Sequence, residues 1–156
     1  MKLKTLCDHL DREHIRYTVI SHSPAFTAQE IAATSHISGR EIAKTVIVRF
    51  GERLAMVVLP ASARIDLALL ADALGADHVA LVAESEFPRI FPECETGAMP
   101  PFGNLYGLDV FVAEELTADD YIAFNAGTHT ELLQLRYRDY ERLAHPQVLA
   151  CIHASA

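Results

Sequence analysis

Residues 42–59 constrain this chain more than any other stretch. Ile42-Ala43-Lys44-Thr45-Val46-Ile47-Val48-Arg49-Phe50 is a β-branched apolar run long enough for one strand. Gly51-Glu52 supplies a turn, and Leu54 to Leu59 returns as a second apolar strand. Together they predict a β-hairpin. Period-2 alternation puts Lys44, Val46, Val48 and Phe50 on one face. An ammonium on that face needs a reason, because an unpaired buried charge is expensive. Two readings are open. Lys44 points into a pocket and meets an anionic or carbonyl group of a ligand, or it reaches water from the strand end or pairs with a carboxylate such as Glu41.

The rest of the chain alternates short elements, with no internal repeat and no linker. Leu3, Leu6 and Leu10 mark one face of a first helix with Thr5 as its cap, and His14 falls at the end of that stripe. Tyr17 to Ser21 reads as a short strand, broken at Ser23-Pro24. Thr27-Ala28-Gln29-Glu30 matches a capping box for a second helix that Ile31 and Ala32 continue. Asp66 to Leu74 predicts a third helix, stopped by Gly75. Val79 to Val82 is a short strand, and Glu84 to Ile90 is one or two helical turns. Leu108–Ala113, Tyr121–Asn125 and Glu131–Arg136 are strands, and Asp139 caps a last short helix from Tyr140 to Leu143. Hairpins mixed with helices indicate an α+β fold around a mixed, strongly curved, partly barrel-like sheet with helices outside, all in one domain.

Composition excludes several classes. A chain of 156 residues can bury a real core, and 51% hydrophobic with 22% charged residues is globular, not disordered. No apolar stretch approaches the ~20 residues that cross a bilayer. Met1-Lys2-Leu3-Lys4 leads into a mixed polar pattern, not an apolar signal core, so a cytoplasmic location is expected. Cys7, Cys94 and Cys151 are widely spaced, with no C-x-x-C pair, and suggest neither a disulfide framework nor zinc. A net charge of −8 argues against a broad basic surface tracking a nucleic-acid backbone, and DNA is not an expected partner.

Two loops concentrate residues that neither strand nor helix favours. In Gly97-Ala98-Met99-Pro100-Pro101-Phe102-Gly103, glycines permit positive φ and close approach of a ligand, while prolines stiffen the backbone. The remaining N–H groups of such a loop can aim at one oxygen; the plainer reading is a rigid connection. In Asn125-Ala126-Gly127-Thr128-His129-Thr130, polar groups gather where a strand pair opens. His129 could hydrogen-bond a substrate or hold water, or the whole could be a turn satisfying its own backbone.

The order of these features is informative. Ser23-Pro24-Ala25-Phe26-Thr27 precedes a capped helix. Lys44 then heads a strand, Gly-x-x-Pro-Pro-Phe-Gly follows, and Phe124-Asn-Ala-Gly-Thr-His129 leads into Glu131-Leu-Leu. This resembles the YbaK/prolyl-tRNA-synthetase-associated domain family, over about Tyr17 to Leu143. The family comprises free-standing or inserted domains that hydrolyse misacylated tRNA on a curved, partly open barrel.

The resemblance implies a trans-editing deacylase acting on tRNA that carries a small amino acid of the alanine, serine, threonine or cysteine type. It makes Lys44 the pocket lysine and places Gly97, Pro100, Pro101 and Gly103 in the Gly-x-x-Pro loop. Gly127 and His129 then belong to the loop that closes over the aminoacyl group, and Phe26 and Thr27 to its other side. Lys44, Gly97 and His129 are the implied catalytic residues. Thr45, Asn125 and Thr128 join the substrate-binding set, and Met99, Phe102 and Phe26 are candidate pocket walls. No Gly-x-Ser-x-Gly elbow and no His-x-x-x-His spacing occur, so covalent serine chemistry, a metal and a cofactor are not expected; His22 and His36 are read as capping or packing residues. Arg40, Lys44, Arg49, Arg53 and Arg64 lie nearest the expected mouth in sequence, which predicts weak, salt-sensitive binding of the tRNA acceptor end. An aminoacyl-tRNA synthetase is a candidate second partner, although no residue identifies one. The alternative is a regulatory module that binds a tRNA end, amino acid or nucleotide without hydrolysis.

Overall fold

The hairpin forms as expected. In the computed structural model, which describes residues 3–22 and 41–152, β2 (Ala43–Phe50) and β3 (Arg53–Pro60) pair antiparallel along their whole length, Lys44 opposite Leu59 and Phe50 opposite Arg53. The capping box and its helix, with Phe26, Thr27, His36 and Arg40, lie outside the described residues.

The other elements are α1 (Leu3–Arg12), β1 (Tyr17–Ser21), α2 (Leu67–Leu74), β4 (Ala80–Leu81), α3 (Phe87–Ile90), β5 (Asp109–Ala113), β6 (Tyr121–Asn125), β7 (Glu131–Arg136), α4 (Tyr137–Ala144) and β8 (Gln147–Leu149). Single 3₁₀ turns occupy Glu84–Glu86, Gly103–Tyr106 and Glu114–Ala118. Thr5 is inside α1, not its cap. The last helix begins at Tyr137, earlier than the expected Tyr140. Tyr137 donates its N–H to Asp120 O at 3.0 Å, and the Tyr137 and Tyr140 rings pack 6.0 Å apart, so aromatic burial sets the start.

The strands form two sheets. One has the order β1-β7-β6, all antiparallel. The other has the order β4-β2-β3-β5-β8, with β3–β5 and β5–β8 parallel. A parallel bridge between Ile42 and Ala123 brings the start of β2 to β6. Short β4 pairs only at Val48 and Arg49, so it leaves the start of that edge open to β6. The fold is therefore mixed α+β, but the sheet does not close. The barrel-like expectation is not confirmed: among the described residues the two sheets are joined by one backbone bridge and packed face to face.

Both faces of the five-stranded sheet are covered. Ala43, Ile47, Met56, Val58, Val110 and Val112 meet the three-stranded sheet (Phe124, Leu133, Leu135), α1 (Leu6, Leu10) and Tyr140 of α4. On the other face Val48, Ala55, Val57, Leu59, Phe111 and Ala113 pack with Leu70 of α2 and Cys151. A strand buried on both sides reads as a continuous apolar run, which is why Ala55 to Leu59 show no polar alternation. Burying one such leucine stabilises by about 1.5–3 kcal/mol.

Helix α2 is bounded as its sequence predicts. Asp66 accepts the N–H of Leu69 at 3.0 Å, and Gly75 closes the helix at φ 65°. The segment ahead of it is tied to the far end of the chain. Asp66 donates its N–H to Cys151 O at 2.8 Å, and Ile65 bridges Ile152 just after β8. No helix among the described residues is long and apolar enough to cross a membrane.

Candidate active site

The Gly-Pro loop and the histidine loop are laced together. Glu95 donates its N–H to Gly127 O at 2.8 Å, and Gly127 returns its own to Ala98 O at 2.9 Å. The N–H of His129 reaches a Glu95 carboxylate oxygen at 2.8 Å. The ring nitrogen Nε2 of His129 lies 2.8 Å from Thr96 O. A carbonyl can only accept, so Nε2 carries a proton and donates it to Thr96 O. His129 is 7% exposed, so the imidazole is buried where the two loops meet.

Gly97 is required by the turn it occupies. Ala98 donates to Glu95 O at 3.0 Å, and Gly97, third of the four residues, has φ 84°. That conformation favours glycine, as in type II turns. A side chain there would meet His129 Cε1 only at 3.7 Å, so conformation and not space selects glycine.

Beyond exposed Gly97 the loop is buried from Ala98 to Gly103. Met99 is 2% exposed, and Phe102 is fully buried, edge-on to Phe124 and Tyr140 at centroid distances of 5.7 and 5.4 Å. Both sit in the core where pocket walls were expected, because an apolar loop lying on a sheet gains most by burying its side chains. Pro100 and Pro101 are also buried. Pro100 O accepts from Phe102 N–H at 2.8 Å, and Pro101 O accepts from the Tyr140 hydroxyl at 2.8 Å. Burial, then Tyr137, holds the Tyr140 hydroxyl well above its ordinary pKa, so it remains a donor. At Gly103 a Cβ would lie 3.1 Å from both Met56 Cβ and Val110 Cγ2, so glycine there lets the chain press on the sheet. The prolines donate no N–H, and those of Ala98 and Phe102 are spent inside the loop. Among the described residues, the amides of Gly97 and Met99 have no acceptor.

On β2 the neighbours Lys44 and Thr45 diverge. Thr45 Oγ1 reaches Met99 O at 3.5 Å, linking the strand to the loop. Lys44 is half-buried on the opposite face and donates from Nζ to Ala63 O at 2.6 Å, rather than pairing with Glu41. Desolvation, then the nearby Arg64 guanidinium, holds its pKa below the ordinary lysine value. The Ile42–Ala123 bridge sets Lys44 and Asn125, two residues further along each strand, on the same side. Among the described residues, the buried Asn125 Oδ1 has no donor. Thr128 is held within its loop by Thr130 at 3.3 Å and Glu131 at 3.4 Å.

A family model, the aminoacyl-tRNA editing domain, matches residues 22–143. The chain belongs to the aminoacyl-tRNA editing domain family. Its class of activity is deacylation, the hydrolysis of an aminoacyl ester. The Prolyl-tRNA editing protein ProX of Acetoanaerobium sticklandii is 26% identical over 140 residues, covering 86% of this chain and 85% of the relative. The Multifunctional Ser/Thr-tRNA deacylase ProXp-y of Escherichia coli K12 is 26% identical over 146 residues, covering 90% and 86%. In fold, the chain matches a crystal structure of a protein proposed as a trans-editing enzyme for prolyl tRNA synthetase. The TM-score is 0.83, with 17% identity and 97% of each chain covered.

Within this editing domain, the fold gathers Gly97, Gly127, Thr128 and His129 and ties Thr45 to them, while Lys44 and Asn125 share the opposite face of the strand. The basic residues do not gather. Arg49 pairs with Glu86 at 2.9 Å and Arg53 with Asp109, and Arg53 sits at the hairpin tip, at the other end of the strands from Lys44. Arg64 alone among the described arginines of that group lies beside Lys44. Among the described residues no cluster of three or more His, Cys, Asp or Glu side chains could hold a metal, and His22 donates its backbone N–H to Thr130 O. Sequence reasoning missed Glu95, Thr96 and Ala63. Thr96 and Ala63 act through backbone carbonyls, which no residue pattern marks, and Glu95 is a single acid in a loop without periodicity.

Proposed function

We propose that this chain is a trans-editing deacylase that removes a small amino acid, of the alanine, serine, threonine or cysteine type, from misacylated tRNA. The observation that carries the reading is the pair of amides, Gly97 and Met99, that have no acceptor among the described residues and are held beside a buried, anchored His129. Water attacks the ester carbonyl, forming a C–O bond, and the negative charge that develops on the carbonyl oxygen is met by these N–H groups. Collapse breaks the bond to the terminal ribose, whose oxygen takes up the proton lost by the water. Each such donor is worth roughly 10²–10³ in rate. No separate acid–base pair is needed, because the ester is already activated relative to an amide and the ribose hydroxyls can relay the proton.

Lys44 binds rather than abstracts protons, anchoring a terminal phosphate or the carbonyl. Its bond to Ala63 O is exchanged for that group when substrate arrives. Asn125 Oδ1, buried without a donor among the described residues, accepts from the α-ammonium of the amino acid, and satisfying such an acceptor removes a penalty of about 1–3 kcal/mol. His129 holds the aminoacyl group or the attacking water. Selection by size fits the energetics of discrimination. A synthetase separates substrates that differ by one methylene only about 10–200-fold, and a second site that destroys the wrong product supplies the rest. The names of the two relatives, an editing protein for prolyl-tRNA and a Ser/Thr-tRNA deacylase, support small amino acids as the substrates.

The test is release of amino acid from tRNAs carrying alanine, serine, threonine, cysteine and proline, with Lys44→Ala as control. Cleavage of one or two small esters, lost in the variant, is expected. Tight tRNA or amino-acid binding without cleavage of any ester would replace the deacylase with a regulatory binding module.

A further inference from the structure

The two loops carry opposite halves of the proposed chemistry, oxyanion donors on one and the imidazole on the other. Glu95 makes three bonds where they meet, two of them across the loops. Its N–H bonds Gly127 O at 2.8 Å, its C=O takes the Ala98 N–H that closes the Gly97 turn, and its carboxylate takes the His129 N–H at 2.8 Å. The first two bonds are made by the backbone and do not depend on the Glu95 side chain. The third belongs to the side chain and fixes the main chain of His129. The Glu95 side chain is 52% exposed, and its carboxylate oxygen is 4.0 Å from His129 Nε2, whose proton already goes to Thr96 O. At that exposure and distance a Coulombic effect on the ring is strongly screened.

We infer that Glu95 is a positioning residue for the deacylation proposed above, and that it acts as a hydrogen-bond acceptor for the His129 backbone rather than through its charge. Without that acceptor, the turn from Gly127 to Thr130 loses the side-chain strut that holds His129 over Thr96 O. The imidazole then no longer shares a fixed geometry with the Gly97 and Met99 amides. Errors of the order of an ångström in such an arrangement cost about 10²-fold in rate.

The experiment compares wild type, Glu95→Ala and Glu95→Gln by steady-state deacylation and by hydrogen exchange of the His129 amide in ¹⁵N-labelled protein. Glu95→Ala is expected to lower kcat by about 10- to 100-fold with KM unchanged and to speed His129 exchange roughly tenfold or more. Glu95→Gln keeps an oxygen acceptor and loses the charge, so it should restore most of both. Wild-type kcat and exchange in Glu95→Ala would overturn the assignment. So would a Glu95→Gln as impaired as the alanine variant, since charge would then be the working property. Should the wild type cleave no ester, the deacylase reading falls, while His129 exchange in the two variants still decides whether Glu95 fixes this loop.

Discussion

Replacing Gly97 by alanine separates backbone conformation from space at the centre of the proposed site. Gly97 has φ 84°, and an added Cβ would sit 3.7 Å from His129 Cε1, an ordinary contact. The penalty is therefore conformational, about 1–2 kcal/mol for an L side chain in the left-handed region. For a chain of this size that lowers Tm by roughly 2–8 °C. The chain can avoid the strain by rotating the turn, which swings the Gly97 and Met99 amides off the ester oxygen. Losing one donor costs on the order of 10²–10³ in kcat. Gly103→Ala is the matched comparison. Its φ is ordinary, but its Cβ would press within 3.1 Å of Met56 Cβ and Val110 Cγ2, an overpacking penalty of about 1–3 kcal/mol. Both variants should therefore melt earlier by similar amounts, while only Gly97→Ala loses turnover by orders of magnitude. Thermal melts by circular dichroism and release of amino acid from charged tRNA measure the two quantities. A Gly97→Ala protein that melts early yet keeps near wild-type kcat would refute the argument that these amides carry the chemistry.

Three further outcomes follow from the same contacts. Lys44 has its pKa lowered in the folded protein, by burial first and Arg64 second. The folded state therefore releases its proton before the unfolded state does, and stability from this group should rise with pH through the window that ends at the ordinary value of 10.5; Lys44→Met should lack that rise in urea titrations across the window. Tyr140→Phe strands the buried Pro101 carbonyl and should cost about 1–3 kcal/mol, seen as a lower urea midpoint with an unchanged slope. Asp66→Ala removes the cap of α2 and should cost about 1 kcal/mol by the same measurement.

What the sequence revealed depended on how local the cause was. The β2–β3 hairpin and α2 were legible because alternation, a Gly51 turn, an Asp66 cap and a Gly75 stop are all short-range signals. Tertiary causes stayed hidden. β4 is two residues long, β8 three, and each exists only because a longer strand lies beside it. Helix α4 starts with no side-chain cap at Arg136, so nothing local marked its first turn. In the site, the two loops could be recognised from Gly97, Pro100 and His129. The orientation of Met99 and Phe102 could not, because apolar residues in a rigid loop serve equally as pocket wall or as core. Lys44 was legible as an oddity of the apolar face, but its partner was the carbonyl of Ala63, an atom every residue carries.

That carbonyl makes the last residues of the chain matter to the first strand of the site. Ala63 lies in the crossing from β3 to α2, and the end of that crossing is fastened at Ile65 and Asp66 to Ile152 and Cys151. Shortening the protein to Pro146 would remove β8 and both fastenings together, releasing the strap that presents Ala63 to Lys44. Trimming this domain behind Pro146 therefore disturbs the lysine from a distant part of the chain.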